Sequence, residues 1–264
     1  MRSYSKPLSP VILFLVLASA CAPAPAPPSV AVHYLGHASF LLTFDDSLTV
    51  LTDYGESNAY GLDSPVYDLG TVRPHLVTLS HEHADHAGGQ LPDDIGPLIT
   101  GGEGLQAGGL TATPIPGFER SLDEPDNTSY VFEFRGLRVL HLGDCQALML
   151  GLDEPGIRDR IGELYPDTYD LVLLPIGFVS DILSEAAAFV TLLDARRVVP
   201  MHYWSPADRE RFLDMMADRA DAGGRPYRVQ RTAAARLVFG PLQGPIDTID
   251  IVGLDPAPAV AAVP

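Results

Sequence analysis

The chain has 264 residues, of which 46% are hydrophobic, so it can bury a substantial core and is not a disordered chain. Its 34 acidic residues outnumber 17 basic ones, and the net charge of −17 argues against nucleic acid as a partner. Only two cysteines are present, which excludes a disulfide framework.

The first 20 residues have the features of a secretory signal peptide. Arg2 and Lys6 precede an apolar run at residues 11–18, which is too short to span a bilayer. We therefore expect residues 1–20 to be removed and the protein to be exported. The remaining chain would carry 15 basic and 34 acidic residues, a net charge of −19.

The end of this segment resembles the cleavage site of a bacterial lipoprotein, because "LASAC" places small residues before Cys21, which would become a lipidated N-terminus. Ordinary cleavage after Ala20 is the alternative and would give a soluble exported protein. An acidic surface gains nothing from anionic lipid, so membrane attachment, facing the periplasm or cell surface, is expected only through acyl chains on Cys21.

Proline and alanine mark both ends of the expected folded region. Residues 21–29, with "APAPAPP", predict a stiff extended linker, and residues 255–264, "DPAPAVAAVP", predict a flexible tail. Residues 30–254 between them are expected to form a single domain.

Short apolar runs rich in β-branched residues predict eight strands, four on each side of a Gly- and Pro-rich segment at residues 88–117. The predicted strands are residues 30–35, 39–44, 48–53, 75–80, 129–134, 137–143, 169–175 and 196–202.

Two helices are predicted in the second half of the chain. Ser184 is the expected N-cap of "EAAAFVTLLDA", and Ser205 is the expected N-cap of a second helix with Pro206 at its first position and a stop at Gly223 and Gly224. Mixed strands and helices without a Rossmann glycine pattern predict an α/β sandwich.

The segment "SHEHADH" places His81, His83, Asp85 and His86 directly after an apolar run. His81 and His83 are two residues apart and would point to the same side of an extended segment. A polar surface loop is the alternative, but this pattern is rare by chance in a chain with eight histidines. Nitrogen ligands with one or two carboxylates favour zinc, with manganese or iron as alternatives.

Two further candidate ligands follow later strands. Asp144, in "HLGD", lies just past one predicted strand, and His202, in "VVPMHY", ends another. With these residues the chain has enough candidate ligands for two adjacent cations, which Asp144 is placed to bridge.

The order of these motifs, "SHEHADHAGG", "HLGD" and "VVPMHY", resembles the metallo-β-lactamase superfamily from about Val30 to the end of the second predicted helix. "YLGHASFLL" and "YDLVLLPIG" are similar to the branch of metal-dependent hydrolases that includes ascorbate-phosphate lactonase and is distantly similar to phospholipase-D-type phosphodiesterases. The resemblance implies a four-layer αβ/βα sandwich with the site at one edge between two sheets. It also implies a first metal held by His81 and His83, a second held by Asp85, His86 and His202, and a bridge by Asp144.

One ligand of the family is missing. The family has a further histidine for the first metal between the cluster and the "GD" motif, whereas this chain has "TATPIPGFERS" there. Gly117 or Glu119 occupies the place, and matching Asn127 and Thr128 to a small polar pair of the family favours Glu119. A carboxylate can bind zinc or iron, so Glu119 is a candidate replacement. Without it, the first metal would lose one protein contact.

Other residues have expected supporting roles. The resemblance places His37 beside the site, as a support for the ligands or a substrate contact. Asp53, at the end of a strand, is expected to orient a ligating histidine, with a simple turn residue as the alternative. Tyr203 and Trp204 are expected to form a pocket wall or to pack in the core. The residues expected to be structural are His33, His75, His141 and Cys145.

Two neighbouring cations lower the pKa of a shared water and polarise an electrophile, so the expected reaction is hydrolysis by hydroxide. Asp144 is expected to position the hydroxide, and Asp85 to hold the metal that stabilises the developing oxyanion. We therefore expect an exported hydrolase of an ester, lactone or phosphodiester of a small or lipid-derived substrate. The alternative, suggested by the missing histidine, is a catalytically degenerate metal-binding or interaction module at the cell envelope.

Overall fold

The computed structural model describes residues 26–177, 182–219, 223–241 and 248–259. The predicted signal peptide, Cys21, most of the predicted linker and the last five residues of the predicted tail lie outside the described residues. No helix in the described part of the chain is long and apolar enough to cross a membrane.

The described residues form sixteen β-strands and five α-helices, numbered in chain order. The strands are β1 (Val30–Gly36), β2 (Ser39–Phe44), β3 (Leu48–Thr52), β4 (Leu76–Leu79), β5 (Leu98–Thr100), β6 (Leu105–Ala107), β7 (Leu110–Gly117), β8 (Asn127–Phe134), β9 (Leu137–His141), β10 (Thr168–Tyr169), β11 (Leu171–Pro175), β12 (Asp194–Ala195), β13 (Arg197–Met201), β14 (Tyr227–Arg231), β15 (Arg236–Phe239) and β16 (Ile249–Gly253). The helices are α1 (Ala84–Ala87), α2 (Gln146–Leu150), α3 (Ile157–Leu164), α4 (Leu183–Val190) and α5 (Pro206–Ala217).

Most strands belong to two mixed sheets. The six-stranded sheet has the order β15-β1-β2-β3-β4-β5, antiparallel up to β3 and parallel from β3 to β5. The eight-stranded sheet has the order β14-β16-β13-β11-β9-β8-β7-β6, parallel up to β9 and antiparallel beyond it. Strands β10 and β12 form a separate short parallel pair.

Alternating side chains give the six-stranded sheet two buried faces. Phe40, Leu42 and Val50 belong to the large core that also contains the second sheet, whereas Leu41 and Leu51 belong to a smaller apolar cluster. Successive side chains of a strand point to opposite faces, so both faces of this sheet are covered. This explains why its strands are nearly continuous apolar runs in the sequence.

The outer layers differ between the two sheets. Helices α2, α4 and α5 pack together, and α4 and α5 contact the eight-stranded sheet. The smaller cluster on the six-stranded sheet is completed by loop residues such as Leu69, Val72 and Leu91, and by Ala87 of α1. The structure thus confirms the predicted α/β sandwich, with a loop-rich outer layer on the N-terminal side.

Strands are present at all eight predicted positions, and the one predicted at residues 169–175 is divided into β10 and β11 at Asp170. The strand predicted at residues 196–202 is β13, and β12 precedes it outside the predicted range. The predicted cap at Ser184 is wrong, because α4 begins at Leu183, whose side chain is buried in the core. Ser205 and Pro206 do begin α5 as predicted. That helix ends at Ala217 rather than at the glycines, because Met216 is its last buried apolar residue.

The first half of the predicted tail is held against the fold rather than flexible. Ala257 N–H donates to Tyr34 O at 3.1 Å, and Ala259 N–H donates to Asp68 O at 3.1 Å. The Nε2 atom of His33 lies 2.9 Å from Ala257 O, which supports the structural role predicted for this histidine. Backbone hydrogen bonding therefore outweighs the Pro- and Ala-rich composition at residues 255–259.

Candidate metal centre

Four strand ends converge at one edge of the sandwich. Asp53 follows β3, the loop with Asp85 follows β4, Asp144 follows β9 and His202 follows β13. The Nε2 atom of His202 lies 3.4 Å from Asp85 Oδ2 and 3.8 Å from Asp144 Oδ2, so loops from both sheets meet here. Sites of α/β proteins commonly lie at the carboxyl ends of parallel strands.

A first group of candidate ligands consists of His81, His83 and Glu119. His81 Nε2 and His83 Nδ1 are 3.0 Å apart. Glu119 places Oε1 3.2 Å from His83 Nδ1 and Oε2 3.6 Å from His81 Nε2. Gly117 is instead the last residue of β7 and pairs with Asn127. Of the two residues considered for the missing histidine, the structure brings Glu119 to the site.

A second group consists of His37, Asp85, His86 and His202, each with one ligand-type atom within 4.8 Å of the others. Asp85 Oδ2 is its centre, 3.0 Å from His37 Nε2 and 3.7 Å from His86 Nε2. His202 Nδ1 donates to Gly177 O at 2.6 Å, which aims its Nε2 at Asp85. The three residues that the family resemblance assigns to one metal therefore lie together.

Asp144 lies between these groups. One of its carboxylate oxygens is within 4.8 Å of ligand-type atoms of both His81 and His86. Its backbone N–H donates to Asn127 Oδ1 at 3.0 Å, which fixes the turn after β9. Gly143 makes this turn possible, since its φ is +62° and an added Cβ would lie 2.4 Å from Asn127 Oδ1.

Asp53 and Ser80 form a buried network behind the histidines. Asp53 Oδ1 accepts from Ser80 N–H at 2.7 Å, and Asp53 Oδ2 lies 2.8 Å from both Ser80 Oγ and His86 Nδ1. Ser80 Oγ is also 3.0 Å from His81 Nδ1. Asp53 therefore lies where the sequence predicts an orienting carboxylate. Its Oδ2 contacts Nδ1 of His86 and leaves Nε2, the other ring nitrogen, for a metal.

His37 has a similar support. Its Nδ1 is 2.8 Å from Ser64 Oγ, and the hydroxyl of Tyr34 donates to the His37 carbonyl at 3.0 Å. Tyr203 is buried against Tyr34, with ring centroids 6.2 Å apart, so it stands behind His37 and does not line the cavities described below.

Burial lowers the pKa of His37 to about 3, and the nearby His202 acts in the same direction. Burial also lowers the pKa of His81 to about 3, with a contribution from His86. Burial alone would raise the pKa of Asp53, but the charge of His86 and its hydrogen bond lower it to about 2. Asp53 is therefore a permanent acceptor at neutral pH.

The pKa values of the other shifted groups move in both directions: those of Glu119, Asp144 and His202 rise, and that of Asp85 falls. Burial raises the pKa of Glu119 to about 7 and that of Asp144 to about 6, and in each case a neighbouring carboxylate adds to the effect. Burial would lower the pKa of His202, but Asp144 and Asp85 raise it to about 9. Despite burial, hydrogen bonds from His202 and His37 hold the pKa of Asp85 well below its usual range.

Three buried ligand-type atoms have no hydrogen-bond partner among the described residues: Asp85 Oδ1, His86 Nε2 and Asp144 Oδ1. Leaving such atoms unpaired costs free energy, and several at one place call for an explanation. A metal ion would satisfy them, and imidazole nitrogens with carboxylate oxygens suit zinc, manganese or iron. The residues therefore fit a metal centre.

Backbone strain also concentrates at this edge. His37, Asp53 and His202 have φ values of 51°, 40° and 52°, in the left-handed region that non-glycine residues seldom adopt. Each such residue costs about 1–3 kcal/mol, and strain of this kind clusters at functional sites. The strain supports a functional role for all three positions.

Two cavities adjoin the centre and share His83 and Glu119. One of about 610 Å³ is lined by Tyr60, Gly61, Leu62, Asp63, His83, Asp85, Glu119, Asp144, Gln146, His202 and Trp204. The other, of about 830 Å³, extends past His81 toward Ile115, Arg120 and Asn127. Both sizes suit a small-molecule substrate.

The other residues considered from the sequence have structural contacts. His141 Nε2 is 3.0 Å from Ala38 O, and His75 Nδ1 accepts from Thr49 N–H at 3.1 Å. Cys145 is fully buried, and burial raises the pKa of its thiol well above the usual range. These contacts support the predicted structural roles, whereas Trp204 lines the 610 Å³ cavity.

The sequence alone does not identify Ser80, Ser64, Asn127 or Tyr60 as part of the site. Ser80 carries a usable signal, because a hydroxyl directly before "HEHADH" is placed to contact a ligand. Ser64 and Tyr60 lie in a loop without a motif, and their contacts with His37 and His83 exist only in three dimensions.

Comparison with known proteins agrees with the geometry. The beta-lactamase superfamily domain matches residues 31–202. A UPF0173 metal-dependent hydrolase of Thermococcus onnurineus is 28% identical over 225 residues, covering 73% of this chain and 94% of that protein. Another, from Rubrobacter xylanophilus, is 30% identical over 208 residues, covering 65% of this chain and 81% of that protein.

Solved structures show the same fold. A protein of Thermotoga maritima from the metallo-beta-lactamase superfamily has a TM-score of 0.55 at 22% identity, covering 85% of this chain and 98% of that one. Igni18, a metallo hydrolase of Ignicoccus hospitalis, has a TM-score of 0.54 at 23% identity, covering 80% and 98%. The chain therefore belongs to the metallo-β-lactamase superfamily and is a metal-dependent hydrolase of that type.

Proposed function

We propose that this protein is an exported zinc hydrolase that cleaves an ester, lactone or phosphodiester of a small or lipid-derived substrate at a two-metal centre. The observation that carries the proposal is that seven candidate ligands converge beside a cavity of about 610 Å³. Three of these ligands have a buried atom without a hydrogen-bond partner among the described residues. The named relatives, which are metal-dependent hydrolases, support the same reaction type.

The first zinc would be held by His81, His83 and Glu119, and the second by Asp85, His86 and His202, with Asp144 shared between them. When bound, such a pair of cations supplies Lewis acidity and makes hydroxide available at neutral pH. Iron or manganese would fit the same donors.

Neighbouring residues of the protein orient the ligands and determine which nitrogen of each histidine carries the proton. With Asp53 ionised, His86 Nδ1–H donates to Asp53 Oδ2, which leaves Nε2 unprotonated and aimed into the site. With Asp85 ionised, His37 Nε2–H donates to Asp85 Oδ2, and Ser64 Oγ–H donates to His37 Nδ1. His37 thereby holds the Asp85 carboxylate in place rather than competing with it.

Asp144 is the residue suited to position the attacking water. It lines the 610 Å³ cavity, and its Oδ1 is buried without a protein partner in the described chain. A carboxylate oxygen in this place can accept a hydrogen bond from the water and orient it toward a substrate in the cavity.

Glu119 weighs against the alternative of a degenerate module. That alternative depends on the missing family histidine, and a carboxylate lies 3.2 Å from His83 Nδ1 in its place. Elemental analysis of the purified protein tests the choice. The hydrolase proposal expects two zinc equivalents per chain and turnover of at least one class in a panel of esters, lactones and phosphodiesters. One equivalent or none, with no turnover, would favour the module.

Export rests on the N-terminal sequence alone. The basic residues, short apolar run and "LASAC" support signal cleavage with lipidation at Cys21. Expression of the full chain in a Gram-negative host, with mass spectrometry of the mature N-terminus, provides the test. An acylated Cys21 is expected, and a chain that keeps residues 1–20 would contradict export.

A further inference from the structure

Two exposed aromatic residues line the same cavity at the metal centre. Tyr60 is 68% exposed and Trp204 is 39% exposed, whereas most large apolar side chains of the described chain are buried. Both line the 610 Å³ cavity, together with Leu62. Solvent-exposed aromatic side chains at the mouth of a site are typical of ligand-binding surfaces.

The turn that carries Tyr60 is held in a strained conformation above the centre. Tyr60 has a φ of 54°, and Asn58, two residues before it, has a φ of 56°. Ala84 N–H donates to the Tyr60 hydroxyl at 3.3 Å. The rings of Tyr60 and His83 pack edge to face, with centroids 6.4 Å apart. A bulky residue in the left-handed region needs a compensating reason, and nothing in the core requires this ring.

The charges around this cavity give no attraction for an anion. Four carboxylates line it, those of Asp63, Asp85, Glu119 and Asp144, and no Lys or Arg among the described residues does so. Two divalent cations at the centre would bring four positive charges, which these four carboxylates balance. Arg120, on the wall of the neighbouring cavity, is paired with Asp126 at 2.8 Å.

We infer that this cavity selects an uncharged ester or lactone with a flat or apolar group, which Tyr60 and Trp204 bind, and that it disfavours anionic substrates such as phosphodiesters. This inference rests on the proposed hydrolase function and narrows its substrate class. Tyr60 and Trp204 act on specificity through apolar contact, and Asp63 acts through repulsion of negative charge.

Binding can be measured without turnover, because Trp204 is the only tryptophan in the chain. The probes are butyranilide, an uncharged amide, and 4-butyramidobenzoate, which adds one carboxylate to the same ring. With the zinc-loaded full chain, butyranilide is expected to change Trp204 fluorescence saturably, with a Kd at least tenfold lower than that of the benzoate. Equal affinities, tighter binding of the benzoate, or no saturable response to either probe would overturn the inference.

Variants of the cavity-lining residues test whether they cause this selectivity. Tyr60→Ala is expected to weaken butyranilide binding about tenfold, and Tyr60→Phe, which keeps the ring, less than threefold. Asp63→Asn is expected to lower the Kd of the benzoate and so to reduce the difference in Kd between the two probes. Leu98→Ala is the control, since Leu98 is 47% exposed but lines neither cavity of the centre. Equal effects of Tyr60→Ala and Leu98→Ala would contradict the role of Tyr60.

Turnover separates this inference from the proposed function. In Tyr60→Ala, KM for 4-nitrophenyl butyrate is expected to rise about tenfold with kcat changed less than threefold. Selective probe binding without turnover of any substrate would refute the hydrolase proposal and leave the binding preference standing. Faster turnover of bis(4-nitrophenyl) phosphate than of the butyrate would refute the preference and leave the hydrolase standing.

Discussion

Glu119 is the residue on which a complete first metal site depends. Its carboxylate lies within 3.6 Å of both His81 and His83. We expect Glu119→Ala to lower the zinc content from two equivalents per chain to about one, and Glu119→His to restore it, because imidazole is an equally good zinc ligand. Elemental analysis after dialysis measures this. Glu124→Ala, at an exposed acid on the same loop, is the control, and two equivalents in Glu119→Ala would contradict the assignment.

Asp53 is predicted to act on metal affinity through His86. In Asp53→Asn, an amide N–H replaces an acceptor beside His86 Nδ1 and favours the tautomer that is protonated on Nε2. We expect the zinc affinity to fall about 10- to 100-fold. Competition with a chromophoric chelator measures it. Asp170→Asn is the matched control, since Asp170 is also buried and accepts a backbone N–H from Arg138 but lies outside the centre.

Metal binding is expected to release protons. In the metal-free protein, the pKa of His202 is raised to about 9, so this residue is protonated at pH 8 and must lose a proton to bind zinc. The pKa of Glu119 is raised to about 7, so at pH 6 it also releases one. The zinc affinity should therefore rise between pH 6 and pH 9. Competition with a chelator at pH 6, 7, 8 and 9 measures the affinity, after correction for protonation of the chelator, and an affinity that does not change with pH would contradict the prediction.

At the scale of single residues, the ligands are predictable and their supports are not. His81, His83, Asp85 and His86 form a compact motif because metal ligands on one short loop have restricted spacing. Ser64 contacts His37 across 27 residues of chain, and no local pattern encodes such a contact. Glu119 could be proposed only as one of two positions, because the register after β7 depends on strand pairing.

Among the elements, the strands predicted from apolar runs are largely buried on both faces. Strand β16 is equally buried but is not predicted, because Asp250 interrupts its short apolar run. Seven strands in all are not predicted, among them β7 with its sequence "LTATPIPG". Its two prolines are compatible with a strand because β6 pairs only with Leu110–Ala112, so one edge of β7 has no pairing partner in the sheet beyond this point. Pro114 and Pro116 pair with β8 on the other edge. Edge geometry of this kind cannot be inferred from propensity.

The turn after β9 gives a prediction at the same scale. Gly143→Ala would place a Cβ 2.4 Å from Asn127 Oδ1 and 2.6 Å from Ser80 Cβ, in a residue with φ +62°. Gly136→Ala has a φ of +84° but meets no atom within 4 Å, so it carries only the conformational cost of about 1–2 kcal/mol.

We expect Gly143→Ala to lower the free energy of unfolding by about 1–3 kcal/mol more than Gly136→Ala does, because it also overpacks a buried turn. It should also weaken zinc binding, since Asn127 and Ser80 both contact residues of the metal centre. Urea denaturation of the metal-free proteins measures the first effect. An equal loss of stability in the two variants would show that the turn can relax.

For the whole molecule, the strand order of the two sheets can be predicted from the family resemblance but not from the strand propensity of local segments. Alternation and apolar runs predict strands and an α/β class, but which strands pair across the sandwich depends on contacts between distant segments. The loop-rich cover over the N-terminal sheet is an example, since its apolar residues, such as Val72 and Leu91, are scattered in the sequence. Only the assembled fold brings the metal centre together.

The central claim is that this edge of the sandwich holds two metal ions. Anomalous diffraction at the zinc absorption edge, from crystals of the zinc-loaded protein, tests it most directly. The expected map has one peak among His81, His83 and Glu119, and a second among Asp85, His86 and His202, with Asp144 between them. A single peak or none would contradict the two-metal centre, and two peaks that leave Glu119 or Asp144 without contact would contradict the ligand assignment.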